Sequence, residues 1–122
     1  MKIETVSRSL HPRHTFRIAR ARRREVRNVF VRIVGDGGIG YGEASPNAFY
    51  NETAEGVEKR LAAVAPLLES LHIRAVADIE DAWERLWEVL APSRAAQCAL
   101  DLAMWDWLAR REGISVAELA WG

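Results

Sequence analysis

A chain of 122 residues, 49% hydrophobic and 28% charged, is long enough to bury one core, and no apolar run approaches the roughly 18 residues of a membrane span. Its single cysteine, Cys98, excludes an intrachain disulfide and a cysteine-held metal cluster. The formal net charge is zero, yet nine arginines and one acid, Glu25, fall between Arg8 and Arg32, while acids outnumber bases from Glu52 to Glu88.

The first residues, Met1 to Val6, alternate and carry charge where an export signal needs an apolar stretch, so a cytoplasmic protein is expected. Ile3 to Leu10 alternates loosely and reads as a strand that Pro12 interrupts. Pro12 to Arg24 is rich in charge and shows no strand pattern, so it reads as a loop. The arginines from Arg8 to Arg32 fit a nucleic-acid patch, a pocket for an anionic substrate, or a solvated loop and strand face, which is what most charge runs are. Aromatic residues do not interleave with them as in a single-strand binder, which weakens the nucleic-acid reading.

The second strand is clearer. Val26, Asn28, Phe30 and Arg32 alternate with Arg27, Val29, Val31 and Ile33, and apolar groups on both faces make it the central strand. Gly35 to Gly38 supplies the positive φ of a tight hairpin turn, and Ile39 to Glu43 returns as a third strand. Ser45 to Asn51 is a loop with Pro46 and Asn47 as turn formers.

Helices follow. Val57, Leu61, Val64 and Leu68 recur at helical spacing, and Pro66 should kink or end that helix. Asp78 reads as the N-cap of a second helix striped by Ile79, Trp83, Leu86, Trp87 and Leu90. Pro92 and Ser93 separate it from a third helix beginning near Arg94. This helix is apolar on two faces, with Ala95, Ala99, Leu102, Ala103 and Ala109 on one and Leu100, Met104, Trp107 and Leu108 on the other. That pattern calls for burial on more than one side and suggests a neighbour outside these residues. Gly113 stops the helix, and Ile114 to Leu119 leads to Trp121. The expectation is an α+β fold, a three-stranded antiparallel meander followed by a three- to four-helix bundle, with residues 1–122 as one domain.

Chemistry-bearing residues are sparse. The only lysines, Lys2 and Lys59, are far apart. Glu43 reads as a carboxylate paired to a strand neighbour rather than a catalytic group. Asp101 and Asp106 fall on different helix faces, and Asp106 can pair with Arg110 one turn on, so neither reads as a metal ligand. His11, His14 and His72 lack ligand spacing. Trp83, Trp87 and Trp105 read as core. No residue of this chain is assigned a catalytic or metal-binding role.

Three segments together resemble the mandelate racemase and muconate-lactonizing group of the enolase superfamily. Asp36-Gly37-Gly38-Ile39-Gly40-Tyr41-Gly42-Glu43-Ala44 is similar to that family's D-G-x-x-G-x-G-E-A. Ala99 to Asp106 is similar to its A-[IL]-D-x-A-L-W-D helix, and Gly113 to Leu119 to its G-x-P-[VL]-x-x-L. Within the superfamily, Phe16-Arg17-Ile18-Ala19-Arg20 resembles the F-x-I-[SA]-R loop of dipeptide (Ala-Glu type) epimerases. Pro46 to Thr53 resembles their P-x-A-R-Y-G-E-[ST] loop, with Phe49 in place of arginine and Asn51 in place of glycine. Trp121 replaces the first glycine of a terminal G-G.

The resemblance implies an N-terminal capping domain that sets substrate specificity over a (β/α) barrel missing from these residues. The implied parent is a homo-oligomeric isomerase, a racemase or epimerase that abstracts a proton next to a carbonyl and uses Mg²⁺ bound by the barrel. It implies a dipeptide or other carboxylate substrate contacted by Phe16, Ile18, Arg20, Phe49 and Tyr50, with Arg20 suited to a carboxylate fork. It implies that this chain alone is inactive. The superfamily also contains o-succinylbenzoate synthases, muconate-type cycloisomerases and sugar-acid dehydratases as alternative parents. A stand-alone basic binding module is the alternative from another class.

Overall fold

The computed structural model describes residues 1–10, 16–18, 21–23, 26–47 and 50–122. Strands β1 (Lys2–Leu10), β2 (Phe16–Ile18), β3 (Ala21–Arg23), β4 (Val26–Gly35) and β5 (Gly38–Ala44) precede helices α1 (Ala54–Glu69), α2 (Val76–Leu90), α3 (Arg94–Glu112) and α4 (Val116–Trp121). β1, β4 and β5 form an antiparallel sheet in the order β1-β4-β5. The expected meander is therefore present, β4 is its central strand, and helices follow it. One difference lies in the segment expected as a charged loop. There β2 pairs antiparallel with β3, with Phe16 opposite Arg23 and Ile18 opposite Ala21. Strands of three residues carry barely one period of alternation, so no pattern announces them.

The β4–β5 turn follows from its sequence. Asp36 (φ 49°) and Gly37 (φ 77°) both take positive φ, the primed-turn geometry whose twist matches the flanking strands. It sets the register Gly35 opposite Gly38, Ile33 opposite Gly40 and Val31 opposite Gly42.

Val29, Val31 and Ile33 bury the inner face of β4. Asn28, Phe30 and Arg32 face the other way. On β5 the inner positions are Gly38, Gly40 and Gly42, and their function is to admit α3. A Cβ on Gly38 would lie 2.6 Å from Trp107 Nε1, and one on Gly40 would lie 2.6 Å from Trp107 Cβ. One on Gly42 would strike the carbonyl of Ala99. Ala99, Ala103 and Trp107 thus rest on a glycine stripe, and the fully buried Trp107 donates from Nε1 to Gly35 O at 3.0 Å. The period-two glycines and the period-four alanines are two halves of one contact.

The adjoining side of α3, about 100° round the helix, carries Leu100, Met104 and Leu108. These join one core with Val57, Leu61, Val64 and Leu68 of α1 and Ile79, Leu86 and Leu90 of α2. Most of the neighbours that a two-faced apolar helix requires are therefore inside these residues, while Leu102, counted with the small-residue face, stays 48% exposed. Sequence periodicity reports that a helix is covered on two sides but not by what.

Local signals account for most helix ends. Thr53 Oγ1 accepts from Gly56 N at 3.0 Å and Ser93 Oγ from Ala96 N at 3.1 Å, each starting a helix. Gly113, at φ 71°, ends α3 as expected. Pro66 lies inside α1 and does not end it. So near the C-terminus it deprives only the exposed Ala62 carbonyl, which water can satisfy. Asp78 is not the N-cap of α2, whose cap is Ala75. It stands at the third position of the first turn, and its Oδ2 accepts from Arg74 N at 2.8 Å and from the cap amide Ala75 N at 3.0 Å, reaching back as the third residue of a capping box does. Among the tryptophans expected in the core, Trp83 and Trp105 are partly buried against it. Trp87 is 44% exposed, edge-on to Trp83 with ring centroids 5.1 Å apart.

Candidate functional site

Where β5 ends at Ala44, the chain turns through residues 45–53 into α1. Tyr50 N and Glu52 N both donate to Asn47 O, at 3.0 and 3.1 Å, closing a compact turn. Asn51 sits at φ 56°, in the left-handed region. Asparagine is the side chain that tolerates this region best after glycine. The departure from glycine in the resembled loop therefore keeps the backbone path.

Glu52 ties this loop to α3. Its Oε1 accepts from Ser93 Oγ and from Ala95 N, both at 3.0 Å. A carboxylate at a helix start meets unpaired amides and the positive end of the dipole. The loop and the start of α3 thereby enclose an open groove of about 950 Å³, with Ser45, Asn47 and Tyr50 on one wall and Pro92 and Arg94 on the other. Tyr50 is 70% exposed. A guanidinium, a phenol and an amide around one groove suit a small molecule bearing carboxylate or amide groups.

Of the substrate-contact residues named from sequence, Tyr50 lines this groove. Arg20 and Phe49 lie outside the described residues. The backbone of Phe16 and of Ile18 belongs to β2. Sequence reasoning did not single out Glu52 or Arg94. Arg94 carried a signal, because α3 has no acid in its first turn and begins instead with a cation, against the helix dipole.

Four other carboxylates have partners within the fold. Glu43 Oε1 accepts from Asn28 Nδ2 at 2.7 Å. Asp106 Oδ2 accepts from Arg110 Nε and from Tyr41 N, both at 2.8 Å, and so also satisfies an amide of the edge strand β5. Asp101 is half-buried, and burial pushes its carboxyl up from the ordinary range, opposed by hydrogen bonding to Trp105. Glu118 is held below the usual range by the Ser115 amide and hydroxyl that it accepts from.

Among the described residues no three of His, Cys, Asp and Glu converge. Magnesium takes oxygen ligands that include carboxylates, and Asp101 and Asp106 stand in separate surroundings with other partners. The described residues therefore do not fit a magnesium site. Two arginines of the basic stretch are paired, Arg27 with Glu55 at 3.4 Å and Arg32 with Glu4. Among the described residues no helix is long and apolar enough to cross a membrane.

Residues 2–120 match the family model described as mandelate racemase / muconate lactonizing enzyme, N-terminal domain. The chain is 38% identical over 120 residues to the L-Ala-D/L-Glu epimerase of Escherichia coli K12, covering 98% of this chain and 34% of that protein. A dipeptide epimerase from Methylococcus capsulatus, solved with Mg and L-Arg-D-Lys, superposes with a TM-score of 0.81 at 28% identity, over 96% of this chain and 33% of that one. A muconate lactonizing enzyme from Pseudomonas fluorescens, solved with muconolactone, superposes with a TM-score of 0.85 at 26% identity, over 99% and 33%. The chain thus spans about a third of the length of the relatives it matches.

Proposed function

Because the chain belongs to the mandelate racemase / muconate lactonizing enzyme N-terminal domain family of the enolase superfamily, we propose that residues 1–122 act as the capping unit of a dipeptide epimerase. In this reading the unit closes over a barrel carried by the rest of the parent polypeptide. The observation that carries the reading is the 45–53 loop, fastened to α3 through Glu52 and presenting Tyr50 to an open groove. It is supported by 38% identity to an L-Ala-D/L-Glu epimerase along nearly the whole chain.

The role of these residues is binding and water exclusion, not proton transfer. Phe16, Ile18 and Phe49 contribute apolar contact, Tyr50 contact and a hydroxyl, and Arg20 a bidentate grip on a substrate carboxylate. The acid/base groups and the magnesium ion belong to the barrel, and no residue of this chain is assigned to them. The parent is a homo-oligomeric racemase or epimerase. The likeness to a muconate lactonizing enzyme keeps a cycloisomerase parent as the second reading.

The test uses a hybrid in which this chain replaces the matching third of the E. coli epimerase. Exchange of the Cα proton for deuterium, followed over a panel of dipeptides in D₂O, should occur with the hybrid and not with the 122-residue chain. Exchange by the chain alone would overturn the capping role. A folded hybrid that turns over muconate but no dipeptide would favour the second reading.

A further inference from the structure

Arg94 is exposed and stands on the α3 wall of the groove, across from Ser45, Asn47 and Tyr50 of the 45–53 loop. The ion pairs among the described residues are Arg27–Glu55, Arg32–Glu4, His72–Asp36 and Arg110–Asp106, and Arg94 enters none of them. Glu52 is the one acid among the described residues that line the groove, and its Oε1 already accepts from Ser93 Oγ and Ala95 N. The Ala96 amide donates to Ser93 Oγ. The chain thus satisfies these first amides of α3 itself, and what it leaves toward the groove is a guanidinium.

Helix stability does not account for that group. A cation in the first turn opposes the helix dipole, and α3 has no acid there to offset it. The sequence of the facing loop does. The resembled loop carries an arginine at position 49, where this chain has Phe49, and residues 45–53 contain no lysine or arginine. A cation absent from one wall of the groove is present on the other. Its planar fork of donors matches a carboxylate.

We propose that Arg94 is a specificity-determining residue of the parent epimerase, receiving an acidic side chain of the dipeptide from the α3 wall of the groove. The inference rests on the dipeptide reading above and adds to it the charge of the preferred substrate. A dipeptide with an acidic side chain carries two carboxylates, one for each of Arg20 and Arg94.

The test compares dipeptides that differ only in charge, L-Ala-L-Glu with L-Ala-L-Gln and L-Glu-L-Ala with L-Gln-L-Ala, in the hybrid enzyme. Arg94→Ala should lower kcat/KM for the acidic member of at least one pair by about tenfold or more, the size of one charge-assisted hydrogen bond, and leave its amide partner within about twofold. The loss should fall on KM with kcat held, because the contact lies away from the reacting carbon and is the same in ground and transition states. Arg94→Lys keeps the charge without the fork and should recover part of the loss. Arg94→Glu should turn the preference at the same position from glutamate to lysine. Arg60, on α1, lines a neighbouring groove of about 370 Å³ and also enters none of those ion pairs. Arg60→Ala removes the same unit of charge and should stay within about twofold for every dipeptide.

A hybrid that exchanges dipeptide protons but shows equal effects of Arg94→Ala on acidic and amide members, or none on either, overturns the role of Arg94 and leaves the functional reading intact. Equal losses from Arg60→Ala and Arg94→Ala would make the effect a long-range field and overturn the contact. A folded hybrid that exchanges no dipeptide overturns the functional reading and the assignment with it. The melting temperature of the Arg94→Ala hybrid should match or exceed that of the unmodified one, since the conflict with the helix dipole is relieved, which separates lost binding from lost folding. If the hybrid does not fold, the same substrate pairs are run with the full parent polypeptide, where the same outcomes decide.

Discussion

Glu52 accepts the Ser93 hydroxyl at 3.0 Å, and the same oxygen takes the Ala95 amide. One carboxylate therefore holds the 45–53 loop to the start of α3, and the groove beside Tyr50 exists because of it. Replacing Glu52 by Ala should cost ~1.5–3 kcal/mol, the range for hydrogen bonds to a charged group. Gln keeps an oxygen acceptor and should cost less. Urea unfolding gives the magnitude, and faster hydrogen exchange at the Ala95 amide locates it. A Glu52→Ala protein as stable as the parent, with Ala95 equally protected, would show that the loop is held by other contacts.

The glycines of β5 are not equivalent to the glycine of its turn. Gly42→Ala puts a methyl group into the backbone of α3 at Ala99, a clash that no rotamer change relieves. Overpacking costs about 1–3 kcal/mol, and a backbone neighbour places this case at or above the upper end. Gly37→Ala meets nothing within 4 Å and suffers only from its positive φ of 77°, worth about 1 kcal/mol. The expected order of melting temperatures is parent, Gly37→Ala, then Gly42→Ala well below. Equal losses at the two sites would contradict the packing role of the stripe.

Two carboxylates push the pH dependence of stability in opposite directions. Asp101 is raised by burial in the folded chain, so the folded state binds its proton more tightly than the unfolded state. Its contribution is greatest below the unfolded pKa of about 4 and declines as pH rises through the folded value. Asp101→Asn should therefore stabilise the chain at neutral pH and leave it unaided at low pH. Glu118 is lowered, so its contribution is present above its unfolded pKa and is lost as pH falls through the folded value. Acid should accordingly release the α4 capping box first. Melting temperatures from pH 3 to 7, with carbon-detected NMR titration of both side chains, separate the two. A destabilised Asp101→Asn protein at pH 7 would refute the desolvation argument.

In the hybrid enzyme, Arg20→Ala should lower kcat/KM for an acidic dipeptide by about thirtyfold or more. Truncating one member of a buried, hydrogen-bonded ion pair costs roughly 2–5 kcal/mol, whereas a solvated pair contributes about 0–1 kcal/mol. Arg20→Lys should rescue only in part, because an ammonium cannot form the planar fork. Arg22 and Arg23 should tolerate alanine with changes of a few fold. An Arg20→Ala hybrid with unchanged kcat/KM for every dipeptide, beside an essential Arg22 or Arg23, would move the carboxylate contact along the hairpin.

Most of the fold was legible because it rests on local rules. The meander follows from alternation on β4 and from an Asp36-Gly37 turn that accepts only one geometry. The helix starts at Thr53 and Ser93 and the stop at Gly113 follow from side chains and a glycine next to orphan backbone groups. What escaped was non-local or too short. The β2–β3 hairpin is shorter than any usable period. The partner faces of α3 depend on elements far away in sequence, so periodicity could count its buried sides without naming what covers them. At the site, Tyr50 was legible through resemblance. The groove was not, since it depends on Glu52 bonding to residues 41 and 43 positions on, contacts of long sequence separation. The exchange of glycine for Asn51 looked like a departure in sequence and is conservative in backbone.

The glycine stripe also bears on the order in which the chain can assemble. A strand whose inward positions are Gly38, Gly40 and Gly42 brings no side chains of its own to that face, so the turn can set its register against β4 while little apolar contact holds it there. That contact comes from α3, which is encoded nearly half the chain later. During synthesis β5 therefore leaves the ribosome before the helix that seats it. In that interval Val29, Val31 and Ile33 lack the α3 part of their cover, and the sheet is more exposed to pairing with other chains or to capture by a chaperone. Once Ala99, Ala103 and Trp107 are made, α3 can seat on the glycine stripe and complete the core.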